Sequence, residues 1–271
     1  MMRKIKRLVV KIGTSLLTRD GGHLDERRLA RFVRELAALR KAGVEVLVVT
    51  SGAIAAGTGE LGWAHRPHAM GQKQAAAAVG QIRLMERYRK YFARQGVPVG
   101  QVLLTREDFE NRSRDQNAQA TLRALLRSQV IPLINENDTI AVDEIRLGDN
   151  DTLAARVAVQ VQADLLVLLT DVDGLMTRHP RQGKGRLIGR VDQIGASVNA
   201  LAHSSPGSAR GTGGMLTKIR AARYATSHGV PMAIANGKRA GILKRLLDGQ
   251  SVGTFFSCQG VDIARGQRSL L

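Results

Sequence analysis

An alternation runs the length of this chain and narrows its fold more than any other feature. Short apolar runs recur, each followed by a stretch with helical character. LVVKI (8–12), VEVLVVT (44–50), VPVGQVLL (97–104), VIPLI (130–134), LLVLLT (165–170) and VPMAIA (230–235) read as strands. Residues 25–42, the small-residue stretch from Gly52, and 71–95, 112–128, about 149–161 and 215–228 read as helices. Gly43 and Gly96 close two of these helices. A strand that is apolar at every position is buried on both faces, as in a parallel sheet covered by helices. The fold class is therefore α/β, with helices on either side of a mainly parallel sheet. Residues 195–214, rich in Gly and Ser, read as a loop ahead of the last long helix.

At 271 residues the chain has ample material for a core, and with 3% aromatics that core must be built from Ala, Val, Leu and Ile. The single Cys258 excludes a disulfide framework within one monomer and fits a reducing compartment. Lys11 interrupts the N-terminal apolar run, no small-residue cleavage pattern follows it, and no membrane-length apolar run exists, so the expectation is a cytoplasmic protein. A net charge of +18 raises the question of nucleic acid. The basic residues are dispersed along helices without interleaved aromatics, which argues against a nucleic-acid surface and for a solvated basic one.

Against that charge, NENDTIAVDEIRLGDND (135–151) sets Glu136, Asp138, Asp143, Glu144, Asp149 and Asp151 against Arg146 alone. A metal cage, a solvated hairpin and a site for a polar substrate are the three readings. As a calcium loop the run fails, because Ile140 stands where the loop requires glycine. Ligands of open α/β sheets gather at the carboxyl ends of strands. There this chain carries Lys11-Ile12-Gly13-Thr14-Ser15, Thr50-Ser51-Gly52-Ala53, Asn135–Asp138 and Thr170-Asp171. GTGGMLTK (211–218) adds a glycine turn with Lys218 in the first turn of the next helix, the wrong end for a cation. Beside glycines that expose backbone N–H groups, a phosphate explains it; an ordinary exposed lysine is the alternative.

Two familiar motifs do not apply. GTGELG (57–62) lies beyond its strand, not at the strand–helix turn a dinucleotide fingerprint needs, and GTGGMLTK lacks the Gly-Lys-Ser/Thr order of a P-loop. The six histidines show no metal-ligand spacing, and there is no Gly-x-Ser-x-Gly.

Taken in order, VVKIGTS, VTSGAIAAG, VGQ with LLTR, INENDT, GDNDTLAA, LLTDVDGL, GTGGMLTK and SVGTFF resemble the amino acid kinase family over roughly residues 7–257. The resemblance implies a three-layer αβα sandwich. Its kinase domain would span 1–258, with an amino-acid lobe to about 163, an ATP lobe from about 164 to 258, and a tail at 259–271. It is nearest the members that pass the γ-phosphoryl group of ATP to the side-chain carboxylate of L-glutamate, at the start of proline biosynthesis. By resemblance, Lys11 and Lys218 flank the transferring group and Asp151 orients them. Ser51, Asp138 and Asn150 meet glutamate. Thr170, Asp171, Thr212, Gly213, Gly214, Met215, Leu216, Thr217 and Lys218 meet ATP. Asp138 and Asn150 also suit plain turn capping. Mg²⁺ is expected on ATP phosphates and water, without dedicated protein ligands. Proline inhibition, mapped around the acidic run and Asp108, and a homo-oligomer, dimer or tetramer, are further implications.

The chain departs from the family pattern at Met176, His179 and Ala240, and the expectation is a short form without the RNA-binding-like PUA domain, since the tail 259–271 resembles none. Two alternatives stay open: a sister kinase such as one for N-acetylglutamate, and a non-catalytic RNA-binding protein on the same scaffold.

Overall fold

The computed structural model describes residues 5–19, 23–141, 150–178, 185–203 and 214–258, with the backbone of 261–262 and 267–268. The first half runs β1 (Arg7–Ile12), α1 (Thr14–Leu17), α2 (Glu26–Lys41), β2 (Glu45–Thr50), α3 (Ala53–Glu60), α4 (Met70–Ala93), β3 (Val99–Leu104), α5 (Arg106–Glu110), α6 (Arg112–Arg127) and β4 (Ile131–Glu136). The second runs α7 (Asn150–Gln160), β5 (Leu165–Thr170), β6 (Arg190–Val191), α8 (Ala196–His203), α9 (Met215–Ser227), β7 (Met232–Asn236), α10 (Ile242–Leu247) and β8 (Gly253–Phe256).

These strands form one sheet in the order β3-β4-β2-β1-β5-β7-β8-β6. The pairs are parallel, except that β8 returns antiparallel to β7. Side chains alternate between the faces with the two-residue period of a strand. Leu8, Val10 and Ile12 join Val46, Val48, Val167 and Leu169 in a core under α1, α2, α4 and α10. Val9, Leu47, Val49, Leu166 and Leu168 enter the other, under α6, α7, α8 and α9. Both faces being covered is why the central strands are largely apolar, whereas edge strand β3 is mostly half-buried and exposes Gln101. Of the fully buried rings, Tyr88, Phe32 and Phe92 lie in the first core and Phe256 in the second.

Local signals set the helix ends. Asp25 caps α2 by accepting from Arg28 N at 3.1 Å, and Gly43 leaves it at φ +88°. The close approach of α3 to α4 accounts for Gly57, the first glycine of GTGELG, and for its neighbour across the contact, Gly80. A Cβ on Gly57 would lie 1.8 Å from Ala76 O, and one on Gly80 would lie 1.8 Å from Ala53 O. Those glycines exist to let two helices touch, not to bind a dinucleotide.

Two expectations change. The Gly/Ser-rich stretch is not wholly loop, because Ala196–His203 is helical and buries Val198 and Ala202. Strand β4 runs on past Ile134 to Glu136, which buries Asn135 and Glu136 at its end.

Candidate active site

Five strand ends, those of β1, β2, β4, β5 and β7, point the same way and bring the polar turns of the sequence to one edge of the sheet. Its centre is Asp151, in the first turn of α7 and fully buried. Lys11 Nζ, from the penultimate residue of β1, lies 2.7 Å from Asp151 Oδ1. Lys218 Nζ, from α9, donates to Asp151 Oδ2 at 3.0 Å. Thr217 Oγ1 stands 2.9 Å from the same oxygen and 2.8 Å from Gly214 O. Lys218 therefore tolerates a helix N-terminus because a buried carboxylate, itself at the N-terminus of α7, faces it.

Burial pushes the Asp151 carboxyl upward, but the charges of Lys11 and then Lys218, with their hydrogen bonds, outweigh it and hold the group well below the ordinary carboxylate range. Asp151 is ionised at neutral pH, and the triad carries one net positive charge. Such an arrangement holds two ammonium groups at fixed positions for an anion whose charge grows during reaction.

Beside the triad is a network of amides. Gly52, at φ +107°, makes the tight turn that releases Ser51 from β2 into α3. Asn150 Nδ2 has three acceptors within reach: Ser51 Oγ at 2.8 Å and Thr50 O at 2.9 Å, about a hundred residues away in sequence, and Asn135 Oδ1 at 3.0 Å. Asn135 Nδ2 in turn donates to Gln81 Oε1 of α4 at 2.9 Å. Asn150 is thus more than a turn cap. Asp138 is half-buried in the turn just past β4, where the Thr139 hydroxyl bonds to Asn137. The middle of the acidic run, 142–149, lies outside the described residues.

On the other side, Thr170 ends β5 buried and its hydroxyl faces Asp171 Oδ1 at 3.3 Å. Asp173 ties this turn to β7, accepting from Asn236 Nδ2 and pairing with Arg239, each at 2.9 Å. Gly214 caps α9, and Met215, Leu216, Thr217 and Lys218 form its first turn; Thr212 and Gly213 lie outside the described residues. Met176 bridges Leu187 across the following loop, and His179 also falls outside. Asp108 acts locally, its Oδ2 accepting from Thr105 N and Oγ1 to close a capping box on α5.

The sequence pattern of the amino acid kinase family matches residues 6–236. The chain belongs to the amino acid kinase family. Within this family, it is 48% identical to a protein of Symbiobacterium thermophilum named glutamate 5-kinase, over 96% of this chain and 98% of that one. It is 52% identical to a glutamate 5-kinase of Carboxydothermus hydrogenoformans, over 94% of this chain and 69% of the relative. A glutamate 5-kinase of Clostridium acetobutylicum is 47% identical over 94% and 96% of the two chains. Among solved structures, UMP kinases from Ureaplasma parvum and Bacillus anthracis superpose with TM-scores of 0.63 and 0.64 at 13% and 16% identity. They cover 94% of this chain, and the match takes in 100% and 97% of theirs. At those identities the likeness is one of fold, the αβα amino acid kinase sandwich.

The sequence singled out Asn135 at a strand end, in the stretch Asn135–Asp138, without giving it a role. Gln81 was not singled out, since a glutamine on a long helix reads as surface. Among the described residues no helix is long and apolar enough to cross a membrane.

Proposed function

We propose that this chain transfers the γ-phosphoryl group of ATP to the side-chain carboxylate of L-glutamate, giving glutamyl 5-phosphate and ADP, the entry step to proline. The observation that carries it is the pair of buried lysines held on Asp151, in a chain about half identical to glutamate 5-kinases over nearly its whole length. A carboxylate with an ordinary pKa of about 4.3 is ionised at neutral pH and needs no general base. What remains is to align two anions and to stabilise charge on the phosphoryl group in flight.

Lys11 and Lys218 supply that stabilisation, one from each side, and Asp151 keeps both ammonium groups aimed between the substrates. Asp138 takes the α-ammonium, with Ser51 and Asn150 completing the glutamate site. Thr170, Asp171 and the first turn of α9, with Thr212 and Gly213, take the nucleotide. Mg²⁺ belongs on the phosphate oxygens and water, where it shares in neutralising their charge. Inhibition by proline and assembly into a dimer or tetramer complete the proposal. Millimolar proline should raise the glutamate concentration needed for half-maximal rate, and sedimentation should report the assembly.

The deciding experiment offers ATP with L-glutamate, N-acetylglutamate, aspartate or UMP, and traps acyl phosphate with hydroxylamine. Hydroxamate should form with L-glutamate far above the others. Preference for N-acetylglutamate would identify a sister kinase, and no ADP release with any acceptor would end the proposal.

A further inference from the structure

We propose that Gln81 is a specificity-determining residue whose Nε2 donates to the α-carboxylate of the amino acid, while Asn150 Oδ1 accepts from its α-ammonium. This rests on the reading of the site as one for glutamate and adds a residue to it.

The inference begins with a backbone carbonyl. Thr50 O cannot donate, so the Asn150 atom 2.9 Å from it must be the amide nitrogen. That orientation presents N–H to Asn135, 3.0 Å away, so Asn135 must show its oxygen. Asn135 then turns its own nitrogen to Gln81, which must answer with Oε1 at 2.9 Å. One carbonyl thereby fixes three side-chain amides whose O and N ends would otherwise be interchangeable. The two ends of the chain are left over. Asn150 Oδ1 and Gln81 Nε2 are both fully buried, and neither has a hydrogen-bond partner among the described residues.

Buried polar groups are nearly always satisfied, and leaving one without a partner is costly. Here the leftovers are of opposite kind, one acceptor and one donor, bracketing Asn135 at the end of β4. An α-amino acid head group carries the complementary pair, an ammonium that donates and a carboxylate that accepts. No single inorganic anion or cation satisfies both. The rigid placement of Gln81 follows from its neighbour: Gly80 brings the α4 backbone against Ala53 and Gly57 of α3, the helix that leaves Ser51.

The test compares Gln81→Glu, which keeps an oxygen for Asn135 but replaces the donor with a charge, and Gln81→Met, which removes both. In each variant KM for L-glutamate should rise about tenfold or more, the loss of one hydrogen bond to a charged group. KM for ATP should not change. Glutarate, which keeps both carboxylates, should weaken as an inhibitor in parallel with glutamate. 4-Aminobutyrate, which lacks only the α-carboxylate, should inhibit the wild type and the variants equally. The proposal is overturned if glutamate KM stays within about threefold of wild type, or if 4-aminobutyrate weakens as much as glutamate, which would give Gln81 a role through Asn135 alone. Should Gln81→Met not fold, the isosteric Gln81→Glu carries the same comparison. A wild-type protein forming no acyl phosphate with glutamate would instead sink the glutamate reading itself, and this inference with it.

Discussion

Asp151→Asn removes one charge and almost no volume, so its effects isolate electrostatics. Two ammonium groups, on side chains 8% and 7% exposed, would face a neutral amide in place of a carboxylate they approach to 2.7 and 3.0 Å. Removing one partner of a buried pair costs about 3–5 kcal/mol, because the remaining charge stays desolvated without compensation. In a domain of this size that lowers Tm by roughly 10 °C. Turnover falls as well, by about 10²–10³, since the lysines lose the group that aims them. The pH dependence gives a second signature. The folded carboxyl sits below its unfolded value of about 3.9, so its stabilisation is present above that pH and is lost as pH falls through the folded pKa. The Tm gap between wild type and variant should therefore be full at pH 7 and shrink below about pH 4. Calorimetry from pH 3 to 8 with a coupled ADP assay measures both effects. A variant with wild-type Tm and turnover at pH 7 would refute the reasoning.

Other perturbations separate catalysis from architecture. Lys11→Ala should cut kcat by about 10²–10³ and spare the fold, because Asp151 keeps Lys218; near-normal turnover in a coupled ADP assay would remove Lys11 from the mechanism. Gly57→Ala drives a Cβ into Ala76 O and should lower stability by about 2–3 kcal/mol in a urea melt, since backbone rather than a pliable side chain must move. Burial pushes the Cys258 thiol up to about 11, so alkylation by iodoacetamide at pH 8 should be more than about 100-fold slower in the native protein than in urea, as followed by mass spectrometry.

What the sequence disclosed, and what it hid, follows from the range of each interaction. Strands such as LVVKI and LLVLLT were readable because burial on both faces leaves all but their site-facing ends apolar. The reversal of β8 was not, because Gly253–Phe256 is buried whichever way it runs, and apolarity carries no direction. Helix α8 was masked by its Gly/Ser surroundings, although its buried Val198 and Ala202 decide its conformation through tertiary packing. Lys11 and Lys218 announced themselves through glycine turns, but nothing local says that their ammonium groups converge on Asp151, 140 and 67 residues away. The order of family motifs supplied that link. Asn150 and Asn135 were marked by those routes, but Gln81 and the hydrogen bonds that link the three were not, because that run begins at a backbone carbonyl and passes between elements that only the fold brings together.

The central claim is that a carboxylate oxygen of glutamate attacks the γ-phosphorus directly between Lys11 and Lys218. L-Glutamate labelled with ¹⁸O in its side-chain carboxylate, turned over with ATP and trapped with hydroxylamine, tests it. Hydroxylamine attacks the acyl carbon, so the bridging oxygen leaves with phosphate. Direct attack predicts inorganic phosphate carrying one ¹⁸O per hydroxamate formed, and loss of this signal in Lys11→Ala. Phosphate free of label, released at the wild-type rate, would contradict the account.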